Sequence, residues 1–132
     1  MTGEGVSATV AEELASARDE LEAADALCGI GKHRIALGRA YFAVFHALRA
    51  RLYAAGHEPR THAGTRHLFD LHFVKTGRFP PETSRIVARL QKFREEADYA
   101  VVFVVDDAGA RAEIAAARDL VARLERDMTP AA

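Results

Sequence analysis

Apolar residues recur every three to four positions along most of this chain and divide it into a series of helical stretches. Leu14, Ala17, Leu21, Ala24 and Leu27 mark the first, and Thr9 with Glu12 has capping-box spacing, so a helix is expected from about residue 9 to Cys28. Gly29 and Gly31 stop it and permit a tight reversal, which sets the next helix antiparallel. The stretch from Gly31 to Gly56 is the one the rest is organised around. Its middle, Ala40 to Leu48, is apolar on almost every face, as befits a helix at the centre of a bundle. Pro59 blocks continuation, and Thr61 is a good N-cap for a short third helix with Ala63, Leu68, Phe69, Leu71, Phe73 and Val74 as its apolar positions and Gly77 at its close. Pro80 and Pro81 pre-set a fourth helix, whose stripe is Ile86, Val87, Leu90, Phe93 and Ala97. Ala100 to Val105 has the β-branched density of a strand but no partner strand, so it reads as an apolar connector. Asp106 or Asp107 can cap a last helix in which Ile114, Ala117, Leu120, Val121 and Leu124 recur up to about Asp127. The pattern predicts an all-α fold, an up-and-down four-helix bundle with an additional short helix, as a single domain over residues 8–127 with flexible termini at 1–7 and 128–132.

Composition narrows the class. With 132 residues and 49% apolar content the chain can build one core without metals or disulfides. Cys28 is the only cysteine, no charged and apolar leader opens the chain, and charges interrupt every apolar run, so a cytoplasmic protein with no membrane span is expected. The net charge of −1 hides a sorting of charge along the chain. Residues 1–25 are acidic and carry Arg18 as their one cation, whereas residues 26–69 are basic and carry Glu58 as their one acid. That basic centre could face an acidic partner, a phosphate backbone, or the acidic first helix of its own chain.

Three polar side chains break the apolar central stretch: Arg39, His46 and Arg49. Arg39 and His46 are seven residues apart, which returns them to nearly the same azimuth, two turns along one helical face. Metal-free RNA cleavage needs a proton donor or acceptor that works near neutrality and a cation beside the phosphate, and His46 with Arg39 supplies both. Phe42 and Tyr53 lie on the same face, a surface against which a base could rest, with Arg49 beside them. The alternative is structural: His46 hydrogen-bonds another helix and Arg39 pairs with an acid of the first. His62, His67 and His72 recur every five residues, and steps of that size leave no two of them on one helical face, so no metal set is assigned to them. Arg94, Glu95, Glu96, Asp98 and Tyr99 form a second polar cluster, expected to cap the fourth helix and to pair with the basic central helix. No glycine-rich phosphate loop, serine elbow or cysteine–histidine dyad around Cys28 is visible, and no cofactor is expected.

Three blocks in order, RAYFAVFHALRARLYAAG from Arg39, THAGTRHLFDLHFVKTG from Thr61 and LQKFREEADYA from Leu90, resemble the HEPN superfamily, in particular its small stand-alone bacterial and archaeal members. The likeness runs over roughly residues 8–125. It implies an up-and-down helical bundle that forms a homodimer and is encoded beside a minimal nucleotidyltransferase as a toxin–antitoxin pair. It also implies metal-independent ribonuclease activity through an arginine and a histidine with four to six residues between them, a motif that Arg39 and His46, with six between, match. Ala40 departs from it, since the family's active nucleases carry a polar residue directly after the arginine. Two other readings stand beside the nuclease: a non-catalytic module that binds a nucleotidyltransferase through its basic face, and a nucleotide-binding groove at the same place.

Overall fold

The computed structural model describes residues 3–98 and 105–128, and its elements are all helical. They are α1 (Gly3–Gly29), α2 (His33–Ala54), α3 (His62–Phe69) continuing into a π-helical turn (Asp70–Val74), α4 (Pro81–Asp98) and α5 (Asp107–Met128). The all-α bundle that the apolar spacing predicts is the fold observed. The connector at 100–104, Tyr99 and the tail 129–132 lie outside the described residues.

α1 begins well before Thr9. That residue sits inside the helix, where its hydroxyl donates to the Gly5 carbonyl at 2.9 Å, so it does not act as the expected cap. The other end behaves as the glycines predict. Gly31 takes φ +80°, its N–H donates to the Cys28 carbonyl at 3.1 Å, and the Lys32 N–H donates to the Leu27 carbonyl at 2.8 Å. This paired closure satisfies the last carbonyls of α1 and turns the chain straight into α2. Gly56, at φ +89°, closes α2 by the same pair of bonds, from Gly56 N–H to Tyr53 and from His57 N–H to Leu52.

α2 is the central element and touches α1, α3, α4 and α5. Ala36, Leu37, Ala40, Tyr41, Val44, Leu48 and Leu52 are among its buried side chains. Ala17, Leu21 and Ala24 of α1 cover it on one side, and Ile114, Ala117, Leu120, Val121 and Leu124 of α5 on another. Within α2, Ile35 is the large apolar side chain left exposed.

Thr61 caps α3 as expected, its hydroxyl accepting the Gly64 N–H at 2.8 Å. Past Phe69 the helix widens into the π turn, closed by a Lys75 N–H to Asp70 carbonyl bond of 2.8 Å. Phe69 and Phe73 point into the core against Phe79, while Ala63 and Leu71, expected on the apolar side, face outward. Asp106 caps α5 by accepting the Gly109 N–H at 2.7 Å.

Candidate functional site

α1 and α2 run antiparallel in a register that places Glu20 opposite Arg39 and Glu13 opposite His46. Because both pairs are seven residues apart on their own helices, one helix presents two acids at the azimuth where the other presents two bases. Arg39 donates from Nη1 to Glu20 at 3.3 Å, and His46 Nδ1 lies 2.7 Å from Glu13 Oε2. Arg49, one turn beyond His46, donates from Nε to the other oxygen of the same Glu13 at 3.0 Å. It also reaches the Pro59 carbonyl at 3.3 Å and the Tyr53 hydroxyl at 3.1 Å.

The sequence-derived site residues therefore fall into two neighbouring groups. His46, Arg49 and Tyr53 share Glu13 and one turn of helix. Arg39 stands two turns away, about 10 Å along the axis at 1.5 Å per residue. It lies over the Phe42 ring at 4.8 Å, and Arg94 of α4 stands 5.1 Å from the centroid of the same ring. The cation beside His46 is thus Arg49 rather than Arg39, and Phe42 is the aromatic that two guanidinium groups share.

His62, at the start of α3, fills the space between the groups. Its ring stacks on Phe45 at 4.0 Å with 7° between planes, and its Nδ1 is 2.9 Å from the Tyr41 hydroxyl. Burial lowers its pKa, and Arg94, Arg49 and His46 push it the same way. His67 is exposed and His72 stacks on His57 at 4.0 Å, so the three evenly spaced histidines have separate surroundings. Glu95 and Glu96, expected to pair with α2, pair instead with Gln91 and Lys92 inside α4.

Spacing pointed to Arg39, Phe42, His46, Arg49 and Tyr53 but not to Glu13, Glu20, His62 or Arg94 as members of this face. The two acids had a legible signal, their own seven-residue separation. His62 and Arg94 had none, because α3 and α4 bring them there from distant parts of the chain.

Chemically the face is partly open, with 39% of the Arg39 side chain and 28% of the His46 side chain exposed. When Nδ1 of His46 donates to the Glu13 carboxylate, the other ring nitrogen, Nε2, is the one left to exchange a proton. Arginines over Phe42 offer anion binding next to a stacking surface.

The sequence model of the HEPN domain matches residues 10–127. The chain is similar to a Methanocaldococcus jannaschii protein named "Putative toxin MJ0605", 36% identical over 83 residues, which is 63% of this chain and 62% of that protein. It is 44% identical over 59 residues to the UPF0332 protein PH1297 of Pyrococcus horikoshii, covering 45% of this chain and 42% of that one. With the UPF0332 protein glr0978 of Gloeobacter violaceus the identity is 32% over 83 residues, 63% of this chain and 66% of that one. In each case the match spans less than two thirds of the relative's own length. Among the described residues no helix is long and apolar enough to cross a membrane.

Proposed function

The chain belongs to the HEPN domain family, and from that membership we propose that it is a toxin-like component of a toxin–antitoxin or defence system that cleaves RNA without a metal. The observation that carries the reading is the shared face of α2, where Arg39 and Arg94 flank the part-exposed Phe42 ring and His46 stands beside Arg49 on Glu13. A base rests on Phe42 between Arg39 and Arg94, and the adjoining phosphate meets Arg49 beside His46. His46 Nε2 then exchanges a proton with the ribose 2′-OH or the leaving 5′-oxygen, while the guanidinium groups stabilise the charge that gathers on phosphorus. One histidine cannot serve as acid and base at once, so the reading places two copies of the face across a homodimer axis. The name of the similar Methanocaldococcus protein supports the toxin part of this reading.

One observation favours a second reading. Glu20 and Glu13 already pair with Arg39, His46 and Arg49 within the chain, as a structural seam between α1 and α2 would. On that reading the protein is a non-catalytic module that partners a minimal nucleotidyltransferase or holds a nucleotide. Incubating the purified chain with bulk RNA in EDTA, next to His46→Ala, separates the two. Cleavage by the wild type and none by the variant is expected, with melting temperatures within a few degrees because Glu13 keeps Arg49. No cleavage by a folded wild type would overturn the nuclease and leave the module.

A further inference from the structure

Three helix ends meet where the reversal between α1 and α2 passes the start of α5. Cys28 lies in the last turn of α1, His33 opens α2 and Asp107 opens α5. Asp106 already caps α5, which leaves the carboxylate of Asp107 available to reach across to the reversal. Its Oδ1 accepts from the Cys28 thiol at 3.7 Å and lies 3.2 Å from His33 Nε2. Its Oδ2 faces the other way and accepts from Arg111 Nε at 2.7 Å. One donor atom from each of Cys28, His33 and Asp107 lies within 4.8 Å of the other two, and among the described residues no other trio of His, Cys, Asp or Glu does so.

Metal-to-ligand bonds of about 2.0–2.3 Å in a tetrahedron put neighbouring donor atoms roughly 3.3–3.7 Å apart. Asp107 Oδ1 stands at nearly that spacing from both partners. We propose that Cys28 Sγ, His33 Nε2 and Asp107 Oδ1 form a three-ligand zinc site whose fourth position is open to water.

The donor set selects the metal: thiolate with imidazole suits zinc, whereas magnesium and calcium take oxygen ligands. Arg111 on Oδ2 fixes the carboxylate as a one-oxygen ligand, the role an outer-shell partner plays at metal sites. Burial pushes the Cys28 thiol up, so without metal the sulfur keeps its proton and donates it to Asp107. On binding, the S–H bond breaks, the Zn–S bond forms and the proton leaves to solvent, with no change of oxidation state. The ion would tie the α1–α2 reversal to the start of α5, residues far apart in sequence. This inference is independent of the RNA reading.

Cobalt(II) is the probe. The untagged full chain, stripped with EDTA and titrated with cobalt, is expected to take up one equivalent with a thiolate-to-cobalt charge-transfer band and intense visible bands of four-coordination, both bleached by zinc. Cys28→Ser should lose the charge-transfer band, and His33→Gln should bind cobalt at least tenfold more weakly. Circular dichroism confirms that each variant is helical, and His33→Gln, at a part-exposed position, carries the test should Cys28→Ser fail to fold. A folded wild type without the charge-transfer band, a band that persists in Cys28→Ser, or unchanged affinity in His33→Gln would overturn the site.

Discussion

Tyr41 is 1% exposed, and its hydroxyl lies 2.9 Å from Nδ1 of His62. Charging His62 would set a partly desolvated cation among Arg94, Arg49 and His46, so burial and these neighbours hold its pKa below the ordinary 6.5. His57 is lowered in the same way, by burial first and then by His72 and Arg51. Below the ordinary value the unfolded chain binds protons that the folded chain refuses, so the stability these groups contribute is present above about 6.5 and lost as pH falls through their folded values. Melting temperature is therefore expected to drop as pH is lowered from about 7.5 to about 5.5. A flat or rising profile across that window would show that the two rings stay accessible to protons in the folded state. None of this was legible in the sequence, where His62 stood out only through its even spacing with His67 and His72. Its partners Tyr41 and Phe45 belong to another helix, and a local pattern carries no information about which helix will cross there.

Helix ends follow a different logic, because a glycine at positive φ is a local requirement that the sequence displays. Gly31, Gly56 and Gly77, all at positive φ, close their helices where the chain pattern places the stops. Gly38 is unlike them, since it lies inside α2 and an added Cβ would meet nothing within 4 Å. Gly38→Ala should then raise stability by ~0.5–1 kcal/mol through reduced freedom of the unfolded chain. Gly56→Ala should lower it by ~1–2 kcal/mol through the strain of a left-handed residue. Urea unfolding of the two variants gives changes of opposite sign, and a shared sign would contradict this assignment of the α2 end. The beginnings of elements were less legible than their ends. Thr9 and Glu12 have the spacing of a cap, yet residues 3–8 offer nothing that breaks a helix strongly enough, and the Thr9 hydroxyl bonds backward instead. The π turn after Phe69 has no glycine or proline to announce it. It lies where Phe69 and Phe73 both pack toward Phe79.

At the scale of the molecule, charge sorting and apolar sorting make one arrangement: the acidic α1 lies along the basic α2, which the other helices surround. Of the three partners the basic centre could have met, the chain's own first helix takes Arg39, His46 and Arg49. Arg51 is taken by Asp127 of α5 at 2.7 Å. Burial alone would raise the Asp127 carboxyl, but hydrogen bonds from Arg51 and Arg78 outweigh it and hold it below the usual range. The fold was legible because apolar period and glycine stops are properties of each segment taken alone. The face was only half legible, because membership depends on which acids and rings other helices bring to it. In the proposed function the Arg39 to Tyr53 face of α2 engages RNA with His46 at the point of contact. The most direct measurement is a histidine ring NMR titration with a short single-stranded RNA in EDTA. The account predicts that the His46 ring signals shift saturably with added RNA while those of exposed His67 stay in place. Shifts at His67 alone, or none at His46 up to saturating RNA, would contradict it.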